Sequence, residues 1–129
     1  MALLHDLVEI YAGVVIIYGD QSNKKSDETE ALNKLLKLLP QKISEDLAQT
    51  WYEFEAGESE EAKFVAALDR FLPLYSNYLN AGHSWANHGV KKDKVIEKCQ
   101  PVIERSLPQL WEVSRVMIEE SVSKGNLKA

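Results

Sequence analysis

The chain has 129 residues, 45% of them apolar and 27% charged, which suits one soluble globular domain with a core of its own. Its formal net charge of -5 disfavours binding to nucleic acid polymers, but it leaves room for a small phosphorylated substrate, because a bound divalent cation reverses the local field. Cys99 is the only cysteine, which excludes an intramolecular disulfide and a cysteine-based zinc cluster and fits a reducing compartment.

The hydrophobic period is helical almost throughout. Residues 2–12 are expected to form a first short helix closed by Gly13. The run Val14-Val15-Ile16-Ile17-Tyr18 has strand-like residues but no second strand to pair with, so a buried loop is expected, followed by a polar loop from Gly19 to Ser26. A second helix is predicted over 27–39, with Leu32, Leu35, Leu36 and Leu39 on one stripe and Pro40 ending it. A third is predicted over 44–56, with Ser44 as N-cap and Leu47, Trp51 and Phe54 buried.

Ser59 starts a fourth helix whose predicted apolar stripe is Phe64, Leu68, Phe71, Leu72 and Tyr75, with a kink or stop at Pro73. Asn80 to Gly89 reads as a loop, and 91–99 as a short helix. Ser106 and Gln109 form a capping-box pattern before a last helix, which Gly125 follows. The sum is an all-α bundle of about six helices in a single domain, 1–129. The first 18 residues lack a basic leader region, and no run reaches the roughly 20 apolar residues of a membrane span. A cytoplasmic protein with no membrane partner is expected.

Three places carry side chains able to do chemistry. His5 and Asp6 are adjacent near the start of the first helix, and Glu9 lies on the same side of it. Imidazole plus carboxylate suits a divalent metal, although a His-Asp pair is also what a solvated helix end carries. Asp69 falls at the edge of the fourth helix's apolar stripe. A carboxylate there needs a partner, which a metal, Arg70 or Lys63 could each supply. The stretch Gly82-His83-Ser84-Trp85-Ala86-Asn87-His88-Gly89 holds two histidines and a tryptophan. It reads first as a surface loop with Trp85 docked into the core. No phosphate-cradling glycine loop and no Ser-His-Asp arrangement can be argued from spacing.

Taken together, Leu3-Leu4-His5-Asp6-Leu7-Val8-Glu9-Ile10-Tyr11-Ala12-Gly13 resembles the central motif of HD-domain hydrolases, in the branch similar to 5′-deoxynucleotidases. Ala67-Leu68-Asp69-Arg70 resembles the late motif that carries the family's last metal-ligand Asp. The stretches Asn77-Tyr78, Ser84-Trp85 and His88-Gly89-Val90 are also similar to that branch. The resemblance implies an HD-like helical bundle, with His5, Asp6 and Asp69 as metal ligands and Glu9 assisting the attacking water. It implies metal-assisted hydrolysis of a nucleoside 5′-monophosphate to nucleoside and phosphate, with Mn, Co, Fe, Mg or Zn as cofactor.

Two departures stand against a complete site. The family places a further ligand His on a helix upstream of the His-Asp pair, and only four residues precede His5. The expectation is therefore a partial HD domain lacking the family's first helices, in which Leu3, Leu7 and Ile10 lose cover and favour a homo-oligomer. The family's Gly-Asp is Gly13-Val14 here. The alternative expectation is a degenerate, non-catalytic HD-like module acting in self-association or partner binding.

Overall fold

A computed structural model describes residues 1–15 and 17–129 of the chain. Among the described residues a 3₁₀ turn, His5–Val8, leads into α1 (Glu9–Ala12) and is followed by α2 (Lys24–Leu36), α3 (Gln41–Ala56), α4 (Glu60–Leu79), α5 (His83–Asn87), α6 (Lys92–Ser106) and α7 (Pro108–Ser123). The fold is all-α as expected, with seven helices instead of about six; the additional one is α5. The chain divides into two compact units, Met1–Ala62 and Lys63–Ala129.

In the first unit, Val8, Ala31, Leu32 and Trp51 form a core, with Ala12, Leu35 and Leu36 packed against it. The expected helix over 2–12 is a 3₁₀ turn running into one turn of α-helix. Gly13 closes it at φ 79°, its N–H donating to the Glu9 carbonyl at 2.9 Å. The expected buried loop over 14–18 is not buried at Val14, which is 75% exposed; Ile16 lies outside the described residues.

Helix α2 starts three residues earlier than predicted, because Lys24–Glu28 and Glu30–Lys34 pairs at i,i+4 extend its polar face. Helix α3 also starts earlier, directly after Pro40. Ser44 is therefore not a cap. Its hydroxyl donates backwards to the Leu36 carbonyl at 2.6 Å and ties the α2–α3 turn shut. Leu47 and Trp51 are buried as predicted, and Gly57 at φ 62° ends the helix.

Helix α4 begins where Ser59 accepts from the Ala62 N–H at 3.2 Å. It neither stops nor breaks at Pro73. Proline cannot donate to the carbonyl of Asp69 four residues back. One turn later, the Asn77 side chain donates to the Pro73 carbonyl at 3.0 Å. The predicted stripe is not the buried one. Val65, Ala67 and Leu74 are buried, while Phe64, Leu72 and Tyr75 are exposed. This helix is apolar on more than one side, so periodicity alone could not choose its inner face.

Within the second unit, α6 runs on through Pro101 because Val95, Cys99 and Ile103 form a continuous buried row at four-residue spacing. The capping box is absent. Ser106 stays in α6, Leu107 is the boundary, and Pro108 takes the first position of α7. Trp111 and Ile118 are buried on α7. Ser114 and Ser121 are buried on the same helix and donate back to the Leu110 and Met117 carbonyls at 2.7 and 2.8 Å.

Half of the loop predicted from Asn80 to Gly89 is helix α5, His83–Asn87. The buried Asn77 organises it, its Oδ1 accepting from the Trp85 N–H at 3.1 Å. Trp85 is 1% exposed, as the docked-tryptophan reading expects. Gly82, at φ 71°, lies so close to the tail that a Cβ there would sit 1.9 Å from the Asn126 carbonyl oxygen. Gly89 has a similar backbone, φ 60°, but open space around it. Gly89→Ala should therefore cost only about 1 kcal/mol of left-handed strain, while Gly82→Ala should cost at least about 2 kcal/mol because backbone must also move. Urea unfolding of both variants measures this; equal losses would contradict the close approach.

Candidate metal centre

The 3₁₀ turn decides how His5 and Asp6 present themselves. Its main chain is tied at the start by Leu4 and His5 N–H groups donating to the Met1 carbonyl at 2.8 and 3.1 Å. Three residues per turn separate neighbours by about 120° and stack i over i+3. Asp6 and Glu9, three apart, thus follow one edge of the turn, rather than the slowly drifting face of the α-helix predicted for 2–12.

His5 is held from two sides. Its Nδ1 lies 2.9 Å from the Ala2 carbonyl oxygen, so in the neutral ring Nδ1 carries the proton and Nε2 the lone pair. The Phe54 ring of α3 packs on the imidazole with centroids 4.5 Å apart. The His5 side chain is only 11% exposed, and its Nε2 sits 3.1 Å from Asp6 Oδ1, whose side chain is 60% exposed. Two acceptor atoms that close repel unless a cation or a proton lies between them. A divalent ion fits this pair: adjacent ligands with bonds of about 2.1 Å are roughly 3 Å apart at a right angle. One imidazole with carboxylates is also a donor chemistry that first-row divalent ions accept. Glu9, half-buried, heads α1 on the same edge.

Asp69 belongs to the second unit, midway along α4, with its side chain 35% exposed. Arg70 Nη1 reaches its Oδ2 at 3.4 Å, so the neighbouring-arginine pairing foreseen from sequence is present, though at a length and exposure that make it weak. Of the other sequence candidates, His83 and His88 are exposed on and just after α5.

Sequence reasoning missed Glu28. It lies on α2 with its side chain 12% exposed, paired with Lys24 at 3.5 Å. Burial pushes its carboxyl above the usual carboxylate range; Lys24 works against that rise, and the negative charges of Glu55 and Asp6 add to it. The signal was available: Glu28 precedes the buried Ala31 and Leu32 by three and four residues, so it lies on the inward stripe of α2.

Because Glu28 holds its proton more tightly when folded than when unfolded, the folded state binds more protons just above the ordinary value of 4.5, and stability falls as pH rises through that window. Glu28→Gln removes this term. In metal-free buffer its stability relative to the parent should climb as pH rises through and above the ordinary value of 4.5. Parallel pH profiles in urea unfolding would contradict it.

The HD domain family model matches residues 1–111. Over 72 residues the chain is 36% identical to mouse and 35% identical to human 5′-deoxynucleotidase HDDC2, an alignment that takes in 54% of this chain and 36% and 35% of those proteins. The chain thus spans about a third of the length of the curated relatives it matches. It is also similar to the crystal structure of a predicted metal-dependent phosphohydrolase from Magnetospirillum magnetotacticum MS-1, with a TM-score of 0.89 and 37% identity, over 98% of this chain and 65% of that one. The chain belongs to the HD domain family.

Proposed function

We propose that this chain carries part of the active site of a metal-dependent phosphohydrolase of the 5′-deoxynucleotidase kind, releasing nucleoside and phosphate from a deoxynucleoside 5′-monophosphate. The reading treats residues 1–129 as one partial domain in which His5, Asp6 and Asp69 each give one donor atom to a single divalent cation. The observation that carries it is the 3.1 Å approach of His5 Nε2 to Asp6 Oδ1 while Nδ1 is committed to Ala2. The names of the HDDC2 relatives and of the bacterial phosphohydrolase support it.

A divalent cation in such a site supplies Lewis-acid polarisation of a phosphoryl oxygen and acidifies a water molecule. The chain's residues do the rest. The Ala2 carbonyl and the Phe54 ring hold the imidazole so that its lone pair faces the carboxylate. Glu9 takes the proton of the attacking water. The negative charge of Asp6 adds to the burial that pushes the Glu28 carboxyl up.

A second reading keeps the fold and drops the chemistry: a degenerate HD-like module that self-associates or binds a partner. Val14 favours it, because the family's acid is replaced by an apolar side chain 75% exposed. Leu3 at 90% and Ile10 at 67% exposure also fit a surface that a second copy could cover. No helix among the described residues is long and apolar enough to cross a membrane.

Phosphate release from a panel of deoxynucleoside 5′-monophosphates with Mn or Co separates the two. The hydrolase reading expects turnover that chelator abolishes and that His5→Ala, Asp6→Ala and Asp69→Ala each lower by at least about a hundredfold, with Glu9→Gln within the 10²–10⁴ range of a lost general base. Turnover should rise with Val14→Asp. No metal-dependent release in parent or Val14→Asp protein would leave only the non-catalytic module.

A further inference from the structure

The second unit holds a polar groove of about 330 Å³ that the proposed chemistry does not use, lined by Ser76, Asn77, Asn80, His83 and Ser84. Its size is within the roughly 300–1,000 Å³ usual for small-molecule sites. Its position is set by α4. Seven residues are close to two full helical turns, so Ser76 lies on the same face as Asp69, about 10 Å further along the axis, and Asn80, eleven residues on, continues that line. Leu72 and Pro73, both exposed, occupy the turn between Asp69 and Ser76. A ligand whose phosphate is held near Asp69 and whose body runs along this face arrives in the groove.

The groove's chemistry is neutral. Among the described residues, no Lys, Arg, Asp or Glu lines it. Asn77 is part of the wall: it is 8% exposed, and its amide is spent on the Pro73 carbonyl and the Trp85 N–H. The other groups face outward with defined roles. Asn80 Nδ2 donates to the Ser76 carbonyl at 2.8 Å, which leaves its Oδ1 as an acceptor. Asn87 Nδ2 donates to His83 Nε2 at 3.1 Å, which puts the neutral ring's proton on Nδ1 and makes it a donor. The Ser76 and Ser84 hydroxyls serve as either. An uncharged mixture of fixed donors and acceptors suits the heterocycle and sugar of a nucleoside and has nothing to hold a phosphate. The floor is rigid, because α5 is pinned by Asn77 and by the close approach of Gly82 to Asn126.

We infer that this groove is the nucleoside-recognition subsite, receiving the base and deoxyribose of the substrate whose phosphate the metal centre holds. The inference rests on the hydrolase reading for the position of the phosphate, and its test separates the two.

The His83 ring and Trp85 backbone resonances of the full chain are followed by NMR as 2′-deoxyadenosine is added, with inorganic phosphate as the parallel probe. The subsite predicts saturable shifts with the nucleoside at concentrations up to about 10 mM and none at these resonances with phosphate. Ser84→Trp, which fills the groove from an exposed position, should weaken nucleoside binding at least about tenfold. In the hydrolysis assay it should lower the ratio of kcat/KM for deoxyadenosine 5′-monophosphate over p-nitrophenyl phosphate by a similar factor, mainly through KM. No nucleoside shift, equal shifts with phosphate, or an unchanged ratio would overturn the subsite. Failure of the chain to hydrolyse any phosphoester would remove the hydrolase reading instead, and the nucleoside titration would then decide the groove alone.

Discussion

The hydrogen bond from His5 Nδ1 to the Ala2 carbonyl is the constraint on which the site depends. It fixes the proton on one ring nitrogen and aims the lone pair of the other at Asp6, 3.1 Å away. The 3₁₀ turn makes that geometry available, because the tighter winding keeps Ala2 under His5 and sets Glu9 over Asp6. The first unit's core then holds the turn in place: Val8 packs with Trp51, and Phe54, one turn of α3 further on, covers the imidazole. Fold and site are joined through those two aromatic residues of α3.

The electrostatics around this turn are costly for the protein by itself. Burial pushes the Glu28 carboxyl up, the negative charges of Glu55 and Asp6 add to that rise, and the Lys24 ammonium at 3.5 Å works against it. A divalent cation would offset that repulsion. Acid kept close at a cost to stability is a common signature of a functional site.

Much of this was legible in the sequence, and the failures have physical causes. The helical period located every long helix, and the sequence pattern singled out His5, Asp6, Glu9 and Asp69, the residues of the proposed centre. Boundaries failed where a local rule had competition: Ser44 found the Leu36 carbonyl instead of capping, and Pro73 and Pro101 were carried through by buried rows on either side. The inner face of α4 was not legible because Phe64, Leu72 and Tyr75 are as apolar as the residues actually buried. α5 was hidden because its order comes from Asn77, a polar residue buried eight positions before Trp85. Glu28 went unnoticed because its apolar surroundings arise from packing as well as from the α2 stripe.

The proposed hydrolase chemistry requires that His5, Asp6 and Asp69 each give a donor atom to one ion. Mn binding to the metal-free full chain, followed by calorimetry and by the electron spin resonance of free Mn, tests it most directly because it needs no turnover. The account predicts one saturable site in the parent, weakened at least about tenfold by Asp6→Ala and by Asp69→Ala alike. Binding that ignores Asp69→Ala while responding to Asp6→Ala would contradict it.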